Sequence, residues 1–132
     1  MLVSTKGRYA LRVMIDLAEN SSGKYIPLKD IAKRQNVSLK YLEAIMSSLS
    51  KKGFVNAVHG KDGGYMLAKE PCEYTVASII KATETSYALV ACIEEGAKEC
   101  ERASSCKTLP MWQELKEVID NYFESKKLSD FL

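Results

Sequence analysis

The segment LKDIAKRQNVSLKYLEAIMSSLSKKG constrains the fold of this chain more than any other. After Pro27, residues Leu28, Ile31 and Ala32 recur at helical spacing, and Asn36 tolerates the left-handed conformation in which helices exit. Val37 reads as a buried turn residue and Ser38 as an N-cap. Leu39, Leu42, Ile45, Met46 and Leu49 then predict the inner face of a helix that Gly53 stops. Two helices of about 8 and 14 residues, joined by a turn of about three to four, carry the helix-turn-helix signature. The second is expected to present Ser38, Lys40, Tyr41 and Ala44 outward near its N-terminal end, where a recognition helix meets base edges. A plain αα-hairpin with a polar face shares this pattern, so the flanking residues decide.

Those residues favour a winged helix. Phe54, Asn56 and Val58 alternate with Val55 and Ala57 as in a strand, HGKDGG makes a tight turn, and Tyr65-Met66-Leu67 return. Gly63 and Gly64 are expected to supply the positive-φ positions. A hairpin directly after a helix-turn-helix is a wing, and His59 and Lys61 at its tip suit phosphate contact. His59, the one histidine of the chain, is equally open to being a distant metal ligand or merely exposed. Upstream, Tyr9, Ala10, Val13, Met14 and Leu17 form one apolar stripe over residues 6–19. The expected class is mainly α with a small β-hairpin.

Charge is distributed accordingly. Residues 1–70 carry 12 Lys/Arg against 6 Asp/Glu, a balance of +6, whereas residues 71–132 carry 7 against 11, a balance of −4. A polyanion is therefore expected to meet the front half only. No apolar run approaches the ~20 residues that span a bilayer, and the N-terminal stretch reads as a helix rather than an export signal. A cytoplasmic location follows as the expectation, in which disulfides are a poor default. Three regions are expected: a DNA-binding domain over 1–82, a cysteine-containing sensor loop over 83–109, and a dimerisation helix with tail over 110–132. In that last helix, over 111–125, Trp112, Leu115, Ile119 and Tyr122 recur with Met111, Val118 and Phe123 beside them. So wide a stripe needs an opposing surface, either in cis or from a second copy.

The sensor loop earns its name from Cys92, Cys100 and Cys106, spaced Cys-x7-Cys-x5-Cys within CIEEGAKECERASSC. An irregular connection of about 25 residues is uncommon in a compact domain unless it has a job. The spacing lacks the Cys-x2-Cys pair of structural zinc sites. Iron–sulfur clusters accept wider, more varied spacing. Cys72, after Pro71, is expected to be a half-buried structural thiol.

Three stretches together, STKGRYALRVMIDLA, LKDIAKRQNVSLKYLEAIMSSLSKKGFV and HGKDGGYMLA, resemble the Rrf-two superfamily of bacterial winged-helix regulators, and LSDFL is similar to that family's terminal motif. The resemblance is to the cluster-binding branch, the IscR-, NsrR- and RirA-like members. It implies a homodimer through crossed C-terminal helices, a palindromic double-stranded DNA operator, and a [2Fe-2S] or [4Fe-4S] cluster on Cys92, Cys100 and Cys106. It also implies DNA contacts by Lys6, Tyr9, Ser38, Lys40 and Tyr41, with Glu43 at a position linked to choosing among operators. The chain departs from the pattern in three places. The wing begins His59-Gly rather than Arg-Gly, so a permanent cation is missing there. Leu109 stands where IscR-like members have a histidine ligand, and Arg8 where some NsrR-like members have a carboxylate. Glu94, Glu95, Glu99, Glu101, His59 or a small exogenous molecule remain for the fourth position.

The leading expectation is a DNA-binding transcription regulator, a repressor as the resemblance implies, controlled by an iron–sulfur cluster and not an enzyme. Control by zinc, thiol oxidation or a protein partner stays open, as does the different class of a small electron-transfer protein.

Overall fold

The protein is described from a computed structural model covering residues 3–84 and 88–132. Helix α1 (Thr5–Glu19) starts at Ser4, whose Oγ accepts the Gly7 N–H at 3.2 Å. Its buried stripe includes Ala10, Val13, Met14 and Leu17. Helix α2 (Leu28–Gln35) exits through Asn36 at φ 53°, the left-handed conformation asparagine tolerates. Helix α3 (Leu39–Lys51) opens on Ser38, whose Oγ accepts the Tyr41 N–H at 3.1 Å. Leu42, Ile45, Met46 and Leu49 are fully buried beneath it. Leu39 is a correction to the expected inner face, because it is 49% exposed. As the first residue of α3 it stands a turn ahead of Leu42, where the packed core has ended.

A buried carboxylate joins α1 to α2. Asp16 on α1 accepts from Arg34 Nε and Nη2 at 2.9 and 2.7 Å and from Gln35 Nε2 at 2.9 Å. Hydrogen bonding to Asp16 is also the main cause that holds the Arg34 guanidinium above its ordinary pKa. Arg12 reaches Gln35 as well, with Nη2 3.0 Å from its carbonyl oxygen. The helix-turn-helix is thus anchored by polar as well as apolar contacts.

The wing is the antiparallel pair β1 (Val55–Val58) and β2 (Gly64–Leu67), with Val55 opposite Leu67 and Val58 opposite Gly64. Ile26 adds a third edge by exchanging two 2.9 Å backbone hydrogen bonds with Tyr65. Positive φ falls on Gly60 (113°) and Gly64 (157°), not on Gly63 as expected. Gly63 is needed for space instead, since a Cβ there would collide with the Val58 carbonyl. The root of the hairpin is pinned by buried Tyr74, whose hydroxyl donates to Phe54 O at 2.7 Å and accepts the Lys69 N–H at 3.0 Å. Burial is the main cause that raises the pKa of this phenol. Cys72, in the turn before Tyr74, is exposed rather than half-buried, because Tyr74 is the residue that anchors this turn.

Helix α4 (Val76–Thr83) begins with a Thr75–Ser78 capping box and packs against α1 and α3. Helix α5 (Leu109–Ser125) packs on α4, and the tail folds back beneath it. Val76 N–H donates to Lys126 O at 2.8 Å, Leu128 N–H donates to Tyr74 O at 3.0 Å, and Leu128 is fully buried. The expected single stripe of α5 divides in two. Trp112, Ile119 and Phe123 are half-buried, whereas Met111, Leu115, Val118 and Tyr122 are exposed in a row at successive steps of four, three and four residues. No helix among the described residues is long and apolar enough to cross a membrane.

Candidate functional site

Two groups of expected DNA contacts emerge. At the N-terminal end of α3, Ser38 and Lys40 are exposed while Tyr41 is half-buried and packs against the core, contrary to its expected outward placement. Its ring meets the Tyr9 ring edge-on, centroids 5.8 Å apart, and Arg12 covers the Tyr9 ring at 4.5 Å. Because Ser38 Oγ accepts the Tyr41 N–H, its own O–H remains to donate to an acceptor on DNA. Lys6 is half-buried with Nζ 3.0 Å from Ser48 Oγ on α3, so this cation braces the recognition helix from behind.

The second group surrounds a cleft of about 510 Å³ between the start of α2 and the wing, lined by His59 and Lys61 together with Lys29 and, from α3, Glu43. Glu43, His59 and Lys61 are exposed. Lys29 and Leu39 are absent from the sequence-based set. Lys29 reads there as one polar residue of a short helix, and only the fold brings it to the wing. Leu39 fits the apolar spacing of its helix and is consequently assigned to the core. Its exposed side chain beside Ser38 and Lys40 is chemically suited to a thymine methyl group.

The thiols form a looser arrangement. Cys92 sits in the short turn Ala91–Ile93, and Cys100 opens a turn through its carbonyl, which accepts the Ala103 N–H at 2.9 Å. Both are exposed, Cys106 is half-buried, and all four cysteines are free. Among the described residues no group of three or more His, Cys, Asp or Glu side chains converges as a metal site, so the expected triad is not gathered at one point. Residues 85–87 of the expected sensor loop lie outside the described residues. The donor chemistry nevertheless fits iron. Cys106 Sγ lies 3.4 Å from Thr108 Oγ1, and its pKa is lowered by that hydroxyl first and then by the Thr108 and Leu109 amides. The thiolate so favoured is the form that ligates metal.

Across the whole described length, residues 3–132 match the Rrf2 family, characterised as iron-dependent transcriptional regulators. The chain belongs to the Rrf2 family. It is 37% identical over 132 residues to the HTH-type transcriptional regulator IscR of Photorhabdus laumondii, covering 100% of this chain and 79% of that one. The solved structure of T. potens IscR is 34% identical with a TM-score of 0.75, over 99% of this chain and 85% of that one. CymR of B. subtilis, described as its global cysteine regulator, is 33% identical with a TM-score of 0.79, over 99% and 95%. This Rrf2 chain is therefore a transcriptional regulator with the winged-helix fold of its family.

Proposed function

We propose that this Rrf2 regulator binds a palindromic operator as a homodimer and that an iron–sulfur cluster on Cys92, Cys100 and Cys106 sets its affinity. The observation that carries the reading is the placement of three free thiols in the segment that joins the winged helix to α5. The proposed division is residues 1–82 for reading DNA, 83–109 for sensing and 110–132 for pairing. The iron-dependent character of the family supports the choice of metal.

Each part has a defined task. Ser38 and Lys40 face base edges and phosphates from α3, with Tyr41 packed behind them and Lys6 and Tyr9 supporting the helix from α1. His59 and Lys61 follow the backbone from the wing, and Glu43 repels or accepts from bases according to sequence. The exposed row Met111, Leu115, Val118 and Tyr122 pairs with the same row of a second copy. Two-fold pairing sets the recognition helices roughly 34–36 Å apart, one turn of B-DNA. A bound cluster supplies redox and ligand-exchange chemistry, and the three cysteines hold it while ordering the segment against α5.

Control by thiol modification is the second reading, favoured by the lowered pKa of Cys106 and by the likeness to Staphylococcus aureus CymR, which has been solved in an oxidized form. Anaerobic purification of wild type and Cys92→Ala, with an absorption spectrum and iron and sulfide assays, separates the two. Wild type is expected to be coloured, with iron and sulfide in matching amounts, and Cys92→Ala to lose both. A wild type that stays colourless after reconstitution with iron and sulfide transfers control to the thiols.

A further inference from the structure

The first turn of α1 is held from two directions. On one side, Lys6 Nζ lies 3.0 Å from Ser48 Oγ on the recognition helix. On the other, the Glu84 carboxylate accepts the Ser4 N–H at 2.9 Å and the Ser4 hydroxyl through the same oxygen. Ser4 Oγ in turn accepts the Gly7 N–H at 3.2 Å, so carboxylate, serine and helix amide form a relay. A carboxylate at this end also complements the helix dipole.

Gly7 leaves the room in which the carboxylate sits. Glycine is the poorest helix former after proline, yet it occupies a buried position in the first turn of α1. A Cβ at Gly7 would collide with the Glu84 carboxylate oxygen and stand 3.0 Å from Val3 Cγ1. The missing side chain is the space that Glu84 fills.

Glu84 is also placed at a boundary. It caps α4 with its N–H donating to Ile80 O at 2.9 Å, and Ile79 and Ile80 behind it are buried in the core. Ahead of it along the chain lies the cysteine segment. Glu84 therefore stands at the junction between that segment and the residues locked in the core.

We infer that Glu84 is a positioning residue that couples the cysteine segment, through Ser4 and the first turn of α1, to Lys6 and the recognition helix. The inference rests on the cluster-control reading above and adds to it the connecting element. When cluster loading withdraws the carboxylate, the Ser4 N–H and O–H lose their acceptor, the first turn of α1 loosens, and the Lys6 brace on Ser48 loosens with it.

The test compares operator affinity of the cluster-loaded and cluster-stripped full chain for wild type, Glu84→Ala, Glu84→Gln and Ser4→Ala. Hydrogen exchange of the α1 amides in the stripped proteins provides a readout that needs no cluster. Wild type is expected to show a loaded-to-stripped ratio of about tenfold or more, and Glu84→Ala a ratio within about threefold. Glu84→Gln, which keeps an oxygen acceptor, restores most of the ratio, and Ser4→Ala falls between. The first-turn amides of Glu84→Ala exchange about tenfold faster than those of wild type. A wild-type ratio in Glu84→Ala, with α1 exchange accelerated, reduces Glu84 to a helix cap and overturns the inference alone. Unchanged α1 exchange in Glu84→Ala overturns it too. A wild type with equal loaded and stripped affinities overturns the cluster-control reading itself, and the inference with it.

Discussion

Replacing Val118 and Tyr122 together by glutamate is expected to leave the protein monomeric and to lower operator affinity by about 100-fold or more. These side chains are 62% and 58% exposed in the single chain, so the fold itself does not need them. In the proposed dimer they meet their own copies across the two-fold axis. Four carboxylates would then be forced together in an apolar seam, at a cost no rim contact offsets. A monomer must bind each half-site as an independent event, which removes the effective concentration that linked heads enjoy. Sedimentation gives the oligomeric state, and operator titration at one fixed salt gives the affinity. The thermal transition of the monomer should follow the α-helical signal of the wild-type fold. A double variant that remains dimeric with unchanged affinity would show that α5 pairs through another face.

The second large effect concerns stability. Arg34→Met is expected to lower the unfolding free energy by about 2–4 kcal/mol, measured by urea denaturation. The Asp16 residue is 3% exposed and takes two of its three side-chain hydrogen bonds from Arg34. Without the guanidinium a buried carboxylate keeps only Gln35. The estimate lies below that for a fully enclosed pair because the Arg34 side chain is 38% exposed, and water already screens it. Removing the other partner by Asp16→Asn is expected to cost less, about 1–2 kcal/mol, since the cation left behind can be solvated. Equal losses from both substitutions would mean that the α1–α2 joint is held by packing rather than by this carboxylate.

Much of the fold is legible in the chain because its signals are local. The Asn36 exit, the Ser38 cap and the Leu42, Ile45, Met46, Leu49 stripe depend only on residues within a turn of each other, and each appears in the structure where the sequence predicts it. Leu39 shows where such signals end. Helical spacing assigns it to the inner face, but spacing cannot tell that the core stops before the first residue of α3. The stripe of α5 fails in the same way. Periodicity identifies an apolar helix surface, and only the position of α4 divides it into the half-buried Trp112, Ile119 and Phe123 and the exposed Met111, Leu115, Val118 and Tyr122.

The site is less legible for a similar reason. His59, Lys61 and Glu43 are readable from a hairpin tip and a helix face, whereas Lys29 joins them only through the tertiary fold. The Lys6–Ser48 and Ser4–Glu84 contacts link residues 42 and 80 positions apart, and nothing in the neighbourhood of either partner announces the other. Cysteine spacing identifies a thiol-rich segment but carries no information on how its sulfurs converge. Cys72 illustrates the converse, a thiol expected to be half-buried that lies exposed because the neighbouring Tyr74 takes the buried position.

The central claim is that the cysteine segment controls DNA binding, and one anaerobic titration addresses it directly. The probe is the tightest-binding palindromic duplex selected from a random pool, held at a single salt concentration. The proteins are cluster-loaded wild type, stripped wild type, and Cys92→Ala carried through the same reconstitution. Loaded and stripped wild type are expected to differ by about tenfold or more, and Cys92→Ala to match the stripped protein whatever iron and sulfide it has met. Three indistinguishable binding curves would contradict the account.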